Sequence, residues 1–378
     1  MNSNRKTKEI LICVLVVISV PPATVNNAKA DIIFRLAQNA GPVINTSLDE
    51  FVPCPEPLFL WFGRSSSPEV ASEQWGVSRA TEGAPWENPV NFGTWEESDW
   101  NLINRAIPTF TTADGLELYL YFGISRPDGY GGYDIWVKRR EKIDDDWGPA
   151  INLGPTVNSE FDELCPAVSP DGLELYFSGW GRDTARPDGQ GRADLWVTRR
   201  KTRDDNWGVP INLGPTVNTA SFDARPILVS NGLLLFFESD RPGGFGSTDL
   251  YMMKRTNVSD PWTEPVNLGP IINSPNTDGQ GFLSPDGSTL YLHSNRPEGY
   301  GGYDIWQVSV EPIVDFSGDG IIDILDLWVM IENWNTDESL CDIGPTPFGD
   351  GIVNIEDLKV FMEYWEKENM PEVTEATE

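Results

Sequence analysis

Residues 315 to 326 read Asp-Phe-Ser-Gly-Asp-Gly-Ile-Ile-Asp-Ile-Leu-Asp, with oxygen-bearing side chains at positions 1, 3, 5, 9 and 12 of a twelve-residue loop and Gly320 at position 6. A hard divalent cation such as calcium takes six to eight oxygens. This spacing wraps Asp315, Ser317, Asp319, the Ile321 carbonyl and Asp326 around one ion, with Asp323 reaching it directly or through water. A plain acidic turn is the alternative. A second copy runs from Asp350 through Asn354 to Asp357, which follows Asp326 by 357 − 326 = 31 positions. Its ligands would be Asp342, Asp350, the Ile352 carbonyl, Asn354 and Asp357. Asp342 reaches position 1 only through an enlarged loop, because Asp342 to Asp350 spans eight positions where Asp315 to Asp319 spans four.

A second group of carboxylates lies upstream: Asp49-Glu50, Asp162-Glu163, Asp223 with Arg225, and Asp278 with Gln280. Paired carboxylates are what glycoside hydrolysis needs for acid and base work. A catalytic acid, however, should be unique, and these recur at matched positions, so their expected role is to accept from loop backbone donors. The single histidine, His293, is expected to fill a sheet position matching Phe177 and Phe237; without another histidine no Ser/His/Asp or Cys/His set can be assembled. Gly129-Tyr-Gly-Gly132 and Gly299-Tyr-Gly-Gly302 read as turn glycines and not as a phosphate cradle, since no helix follows. Most tryptophans recur and read as core, whereas the unrepeated Trp95, Trp100 and Trp180 could stack on a ligand. The ligand-binding nominees are therefore Glu50, Glu163, Arg225, Gln280, Trp100 and Trp180, with no residue nominated as catalytic.

The elements that must position these residues are written in repeats. Asn152-Leu-Gly-Pro-Thr-Val-Asn158 recurs at 212 to 218, at 267 to 273 and, in degenerate form, at 39 to 45. A Gly-x-x-Asp-[Ile/Leu]-[Trp/Tyr] marker ends at Trp136, Trp196, Tyr251 and Trp306, with Trp75 in the equivalent place of a weaker first unit. Asp114-Gly115, Asp171-Gly172, Asn231-Gly232 and Asp286-Gly287 read as hairpin turns between alternating apolar runs. Each unit then predicts four antiparallel strands, at 164–169, 173–178, 194–199 and 208–213 in the third copy. Five such units make a β-propeller, with six as the alternative if 58–108 hides another. One unit cannot bury both sheet faces, so Leu173, Leu175, Phe177 and Trp196 are expected between blades. The last unit stops at Val310 without a fourth strand, and the run Asp31 to Leu36 is expected to close the ring.

The 378 residues carry 58 acids against 27 bases, a formal charge of −31, which excludes nucleic acid or anionic membrane as the main partner. Gly (35) and Pro (30) are too many for long helices and suit an all-β body of short strands. Residues 1–30 read as an export signal: Arg5, Lys6 and Lys8, an apolar run from Ile10 to Val20, then Ala28-Lys29-Ala30. That run is too short to span a membrane. The expected location is secreted, with periplasm or cell surface as alternatives. Cys54, Cys165 and Cys341 are odd in number and widely spaced, unlike a disulfide or zinc framework; a Cys54–Cys165 bridge is the alternative to three thiols. Residues 369–378 form an acidic tail expected to be disordered.

On Asn158-Ser-Glu-Phe-Asp-Glu163, Ser169-Pro-Asp-Gly172, Leu175-Tyr-Phe-Ser178, Arg126 to Trp136 and Arg296 to Trp306, the segment 31–310 resembles the PD40 (WD40-like, TolB-like) β-propeller repeats. This resemblance implies a recognition scaffold more often than an enzyme. The duplicated loops and the apolar spacing of Leu325, Trp328 and Val329, then Leu358, Phe361, Met362 and Trp365, give 311–368 a likeness to a type I dockerin. That likeness implies a small all-α module that binds Ca2+ and docks onto a cohesin-like protein. Loop positions 10 and 11 carry Ile324-Leu325 and Ile355-Glu356 where that family carries Ser/Thr. The function expected from these readings is non-catalytic protein or glycan recognition on the propeller face, with a polysaccharide-processing O-glycosyl hydrolase as the alternative.

Overall fold

The computed structural model describes residues 32–369 except 57, 67–72, 82, 93–104, 107–108, 113–114, 141–146, 182–185, 230–231, 256, 286, 337–340, 345–348 and 350–351. The export segment, Trp95, Trp100, Asp350 and the acidic tail lie outside the described residues. Five antiparallel sheets follow one another along the chain as the blades of a propeller. In the third blade the strands are Asp162–Val168, Glu174–Trp180, Ala193–Arg199 and Ile211–Asn212, paired in that order. The fourth strand is thus two residues long and not the six expected. No described helix is long and apolar enough to cross a membrane.

Local chemistry explains the blade. The first hairpin turns at Gly172, Gly232 and Gly287, all near φ +73°, a conformation that costs glycine little. Ser169 stabilises that turn, its Oγ accepting from the Leu173 and Glu174 amides. Alternating residues then bury against neighbours: Leu175, Phe177 and Trp196 of the third blade share one core with Tyr121, Ile135 and Val157. Leu235, Phe237, Tyr251 and Met253 of the fourth blade close over Tyr176, Leu195 and Val197 of the third.

The Asn-x-Gly-Pro marker proves to be a clasp. Asn152 Nδ2 donates to Asp134 at 2.7 Å, while Asn158 both accepts from the Ile135 amide and donates to the Ile135 carbonyl. The same set recurs at Asn212/Asn218 with Asp194 and Leu195 and at Asn267/Asn273 with Asp249 and Leu250. Asn39 and Asn45 repeat it on Asp304 and Ile305, so the N-terminal segment closes the fifth blade. Its fourth strand is Gln38–Asn39, paired with Trp306 and Gln307. Upstream, Ile32–Phe34 adds a further pairing with Val310–Pro312 that the other blades lack.

After the fifth blade two helices form, α1 over Ile324–Glu332 and α2 over Ile355–Asn369. Asp323 caps α1, its side chain accepting from Leu325 N, and Asp326 reaches back to the Asp323 amide in a capping box. Val314, Phe316, Met330, Cys341, Val353 and Phe361 form the core here, joined by Leu327, Val329, Leu358 and Trp365. The expected stripe is corrected by about one residue on α1. Leu325 and Trp328 are about half exposed, and Leu327 and Met330 take the inward positions because the capping box fixes the helix phase.

Candidate functional site

The matched acids at the start of the first strands are clamped. Glu163 takes the Ser159 amide and hydroxyl, and Arg186 Nη1 bridges Glu163 Oε1 at 2.9 Å and the Val157 carbonyl at 2.9 Å. Asp223 and Asp278 are held in the same way by Thr219 with Arg241 and by Ser274 with Arg296. Glu50 is held by Thr46 and Arg64. Each arginine also lies over its own blade's marker aromatic: Arg64 on Trp75, Arg186 on Trp196, Arg241 on Tyr251 and Arg296 on Trp306. Burial raises the Glu50 carboxyl and pushes Glu163 up to about 7, outweighing the hydroxyl, amide and arginine contacts. Glu50 and Glu163 have no exposed surface, so as ligand-binding nominees they are corrected to structural anchors.

Two residues beyond each clamped acid the first strand bulges. Val52, Cys165, Arg225 and Gln280 all take positive φ (55°, 55°, 57°, 46°), an uncommon conformation for side chains of these types. The pairing register shifts at each of them. In three of the four a proline follows, which removes an N–H that the bulge would otherwise leave without a ladder partner. First strands of successive blades contact one another and form the inner edge of the ring. The bulge therefore sets one side chain near the axis in each of these four blades, and the four differ.

A second varying position faces them from the second strands: Gly63, Gly123, Ser178, Glu238 and His293, read from the pairing registers and the matched Asx and Arg markers. His293 thus corresponds to Ser178 and Glu238, which corrects the match to Phe177 and Phe237 by one residue; each stands six positions after its hairpin glycine, at 172, 232 and 287. Arg225 Nη1 pairs with Glu238 Oε2 at 2.7 Å, and Glu238 Oε1 accepts the Gln280 amide at 2.6 Å. In parallel, Ser178 Oγ accepts the Arg225 amide at 2.7 Å. The Arg225 guanidinium lies 6.0 Å from the Trp180 ring, and that ring meets Phe222 edge-on at 5.2 Å. One arginine thus meets side chains from two blades, and Glu238 carries the contact on to the backbone of a third. Of the sequence nominees, the structure brings together Arg225, Gln280 and Trp180, and adds Cys165, Glu238 and His293.

The electrostatics of this axial cluster are lopsided. Glu238 is buried, while the Arg225 side chain keeps 26% of its surface open to water. Burial and the Arg225 charge push the His293 imidazole down to about 3, so it is neutral at physiological pH. Burial pushes the Cys165 thiol up to about 12, so it stays protonated and a poor nucleophile. Cys54 and Cys165 do not form a disulfide with each other. Arg225 Nε and His293 Nδ1 are buried and find no hydrogen-bond partner among the described residues. An aromatic face, an arginine, a carboxylate and an imidazole with unused capacity can hold a polyhydroxylated ligand. Among the described residues this cluster contains one carboxylate, Glu238, itself held by Arg225 and by the Gln280 amide.

In the C-terminal loop, Asp315 accepts from Gly318, Asp319 and Gly320 amides, and Asp319 accepts from Ile321 N. Asp326 accepts from Ser317 N and Asp323 N; Asp357 does the same for Ile343, Gly344 and Asn354. The two halves are therefore built alike, the second with the longer loop. The donor set is all oxygen and suits calcium in chemistry, but the carboxylates are turned onto amides. Among the described residues no three acidic, histidine or cysteine side chains group as a metal site.

Comparison with protein-family models and with curated proteins gives no match. Similar solved structures include a thermostable family-43 glycoside hydrolase, at 13% identity and TM-score 0.47, covering 74% of this chain and 93% of that one. The catalytic domain of a Coprinopsis cinerea GH62 alpha-L-arabinofuranosidase gives 11% and 0.43, covering 73% and 97%. A xylan beta-1,4-xylosidase from Bacillus halodurans gives 13% and 0.44, covering 73% and 54%. At this identity the likeness does not extend beyond the propeller fold.

Proposed function

We propose that this is an exported, polysaccharide-directed propeller whose axial cluster binds a saccharide, carried with a calcium-dependent, dockerin-like docking module. The observation that supports the saccharide reading is the Arg225–Glu238 pair, set against Trp180, Gln280 and His293 at positions that vary from blade to blade. In a repeat protein, buried residues that recur with the same bonds in every blade serve the repeat, and a cluster of buried residues that do not recur has no such duty. Glycoside hydrolysis is the second reading. It is favoured by Glu238 being a buried carboxylate at the axis with no counterpart in the other blades, placed to act as a proton donor or acceptor on a bound sugar. The docking reading is supported by the apolar surface of the C-terminal segment, where Ile321, Ile324, Trp328, Ile352 and Ile355 are each more than half exposed.

A glycan array on the whole protein, with release of reducing sugar measured alongside, tests both readings. The Arg225→Ala variant is expected to lose at least tenfold in affinity for any glycan the wild type retains, because it removes a charge-assisted donor and strands Glu238. Retention of full affinity would sink the axial site. If the wild type also releases reducing ends, Glu238→Gln is expected to abolish release while leaving binding within a few fold, and hydrolysis that survives this change would exclude Glu238 as the acid.

A further inference from the structure

Three aromatic side chains stand in solvent at one repeated position: Tyr130, Phe245 and Tyr300 are 52%, 47% and 51% exposed. Each occupies the tip of the loop between the second and third strands, and blade 3 carries Gln190 there. Glu238 and His293 lie one residue before the ends of the strands that run into two of these loops, so the aromatics and the axial cluster lie at the same end of the blades.

The backbone under each aromatic is fixed from two sides. The amides of Tyr130, Phe245 and Tyr300 donate to Oδ2 of Asp134, Asp249 and Asp304 at 2.6, 2.6 and 2.5 Å. The next residues, Gly131, Gly246 and Gly301, donate to the other oxygen of the same carboxylates. A Cβ on any of these glycines would overlap carbonyl oxygens of the following blade, at Ser159, Asn276 and Leu48. Gln190 makes the same turn with the same two bonds to Asp194, so the turn does not require an aromatic residue. The rings are therefore surplus to folding, and are presented on a backbone that loses little further freedom when something stacks on them.

We propose that Tyr130, Phe245 and Tyr300 form a platform on which a neutral polysaccharide chain lies as it passes over the axial cluster. This deepens the saccharide reading of that cluster and rests on it for the ligand class. The rings stand on three separate loops, those of blades 2, 4 and 5, each between glycines, an arrangement of isolated rings on which a sugar chain can stack its C–H faces and not the continuous apolar area that a protein partner buries. A chain of net charge −31 selects against anionic polymers.

The test is affinity electrophoresis of the whole protein through gels containing arabinoxylan, xyloglucan or mixed-linkage β-glucan, paired with calorimetric titration of trisaccharides from the retained polymer. Wild type is expected to be retarded by at least one polymer. Each single Tyr130→Ala, Phe245→Ala or Tyr300→Ala change should weaken retardation several-fold and the triple change about a hundredfold, with trisaccharide affinity unchanged. Should the triple alanine protein not fold, the triple glutamine protein, which carries the residue of blade 3, takes its place. A triple variant retarded like wild type, or no retardation of wild type by any neutral polymer, overturns the platform. Failure of the axial reading looks different: Arg225→Ala would then bind trisaccharide as wild type does, while the triple variant still lost polymer binding.

Discussion

His293 carries its own pH test because its environment penalises the proton. It is packed against Tyr303 at 5.5 Å, lies beside Gly279 and Glu238, and faces the Arg225 charge, which together with burial lowers its pKa to about 3. In the unfolded chain the imidazole titrates near 6.5, so between pH 6.5 and 3 the unfolded state binds a proton that the folded state refuses. Stability should therefore fall as pH drops through that window, by roughly 2–3 kcal/mol at pH 4.5 from this group alone. His293→Gln cannot bind that proton in either state. Urea unfolding of both proteins at pH 7.5 and 4.5 is expected to show the smaller loss for the variant; equal losses would mean that the imidazole titrates normally. The axial residues were only partly legible in the sequence. Arg225, Gln280 and Trp180 stand out in a repeat alignment; Glu238 and His293 stand six residues after the hairpin glycines 232 and 287, as Ser178 does after Gly172, so a count from the turn marks that position as varying, but only the fold sets it against Arg225 and Gln280.

At the scale of elements, the repeats made the blades readable and the closure of the ring foreseeable. Hairpin glycines and alternating apolar runs name a local structure that forms where expected at Gly172, Gly232 and Gly287, whereas the Asn-x-Gly-Pro marker proves to be a clasp and the strand that completes the fifth blade is Gln38–Asn39 and not the run 31–36. Strand ends were less readable: the fourth strands shrink to two residues because the asparagine clasp, and not a longer ladder, holds them. The same clasp predicts what the N-terminal segment contributes. Removing residues 31–40 deletes Gln38–Asn39 and the bonds from Asn39 to Asp304 and to Asn45, and exposes the edge of Asp304–Pro312. An open edge strand of nine residues invites pairing with another chain. The truncated protein is expected to melt lower and to elute partly as oligomers in size-exclusion chromatography. A monomer with the wild-type melting temperature would show that the clasp is dispensable. Changing Arg35, whose exposed pair with Glu311 is worth at most about 1 kcal/mol, should do neither.

Across the whole molecule the excess of acid is uneven in its consequences. In the propeller, the acids at the head of each first strand meet an arginine, so their charge is spent inside the repeat. In the first C-terminal loop, Asp315, Asp319, Asp323 and Asp326 lie within twelve residues of sequence and among the described residues no lysine or arginine pairs with them; they accept from backbone amides and from the Ser317 hydroxyl. Four carboxylates in one short loop repel one another, and a divalent cation would relieve that repulsion if the side chains turn from the amides towards it. The core around Met330 and Phe361 is small, so binding free energy gained there is largely folding free energy. Calcium is therefore expected to raise the stability of residues 313–369 without moving the propeller's transition, and chelation to reduce helical ellipticity while the β signal persists. Asp319→Ala should lower the calcium stoichiometry measured by isothermal titration, leaving whatever the longer second loop binds. A variant that binds as many ions as the wild type would show that the loop is an acidic turn and that its carboxylates serve the amides they touch.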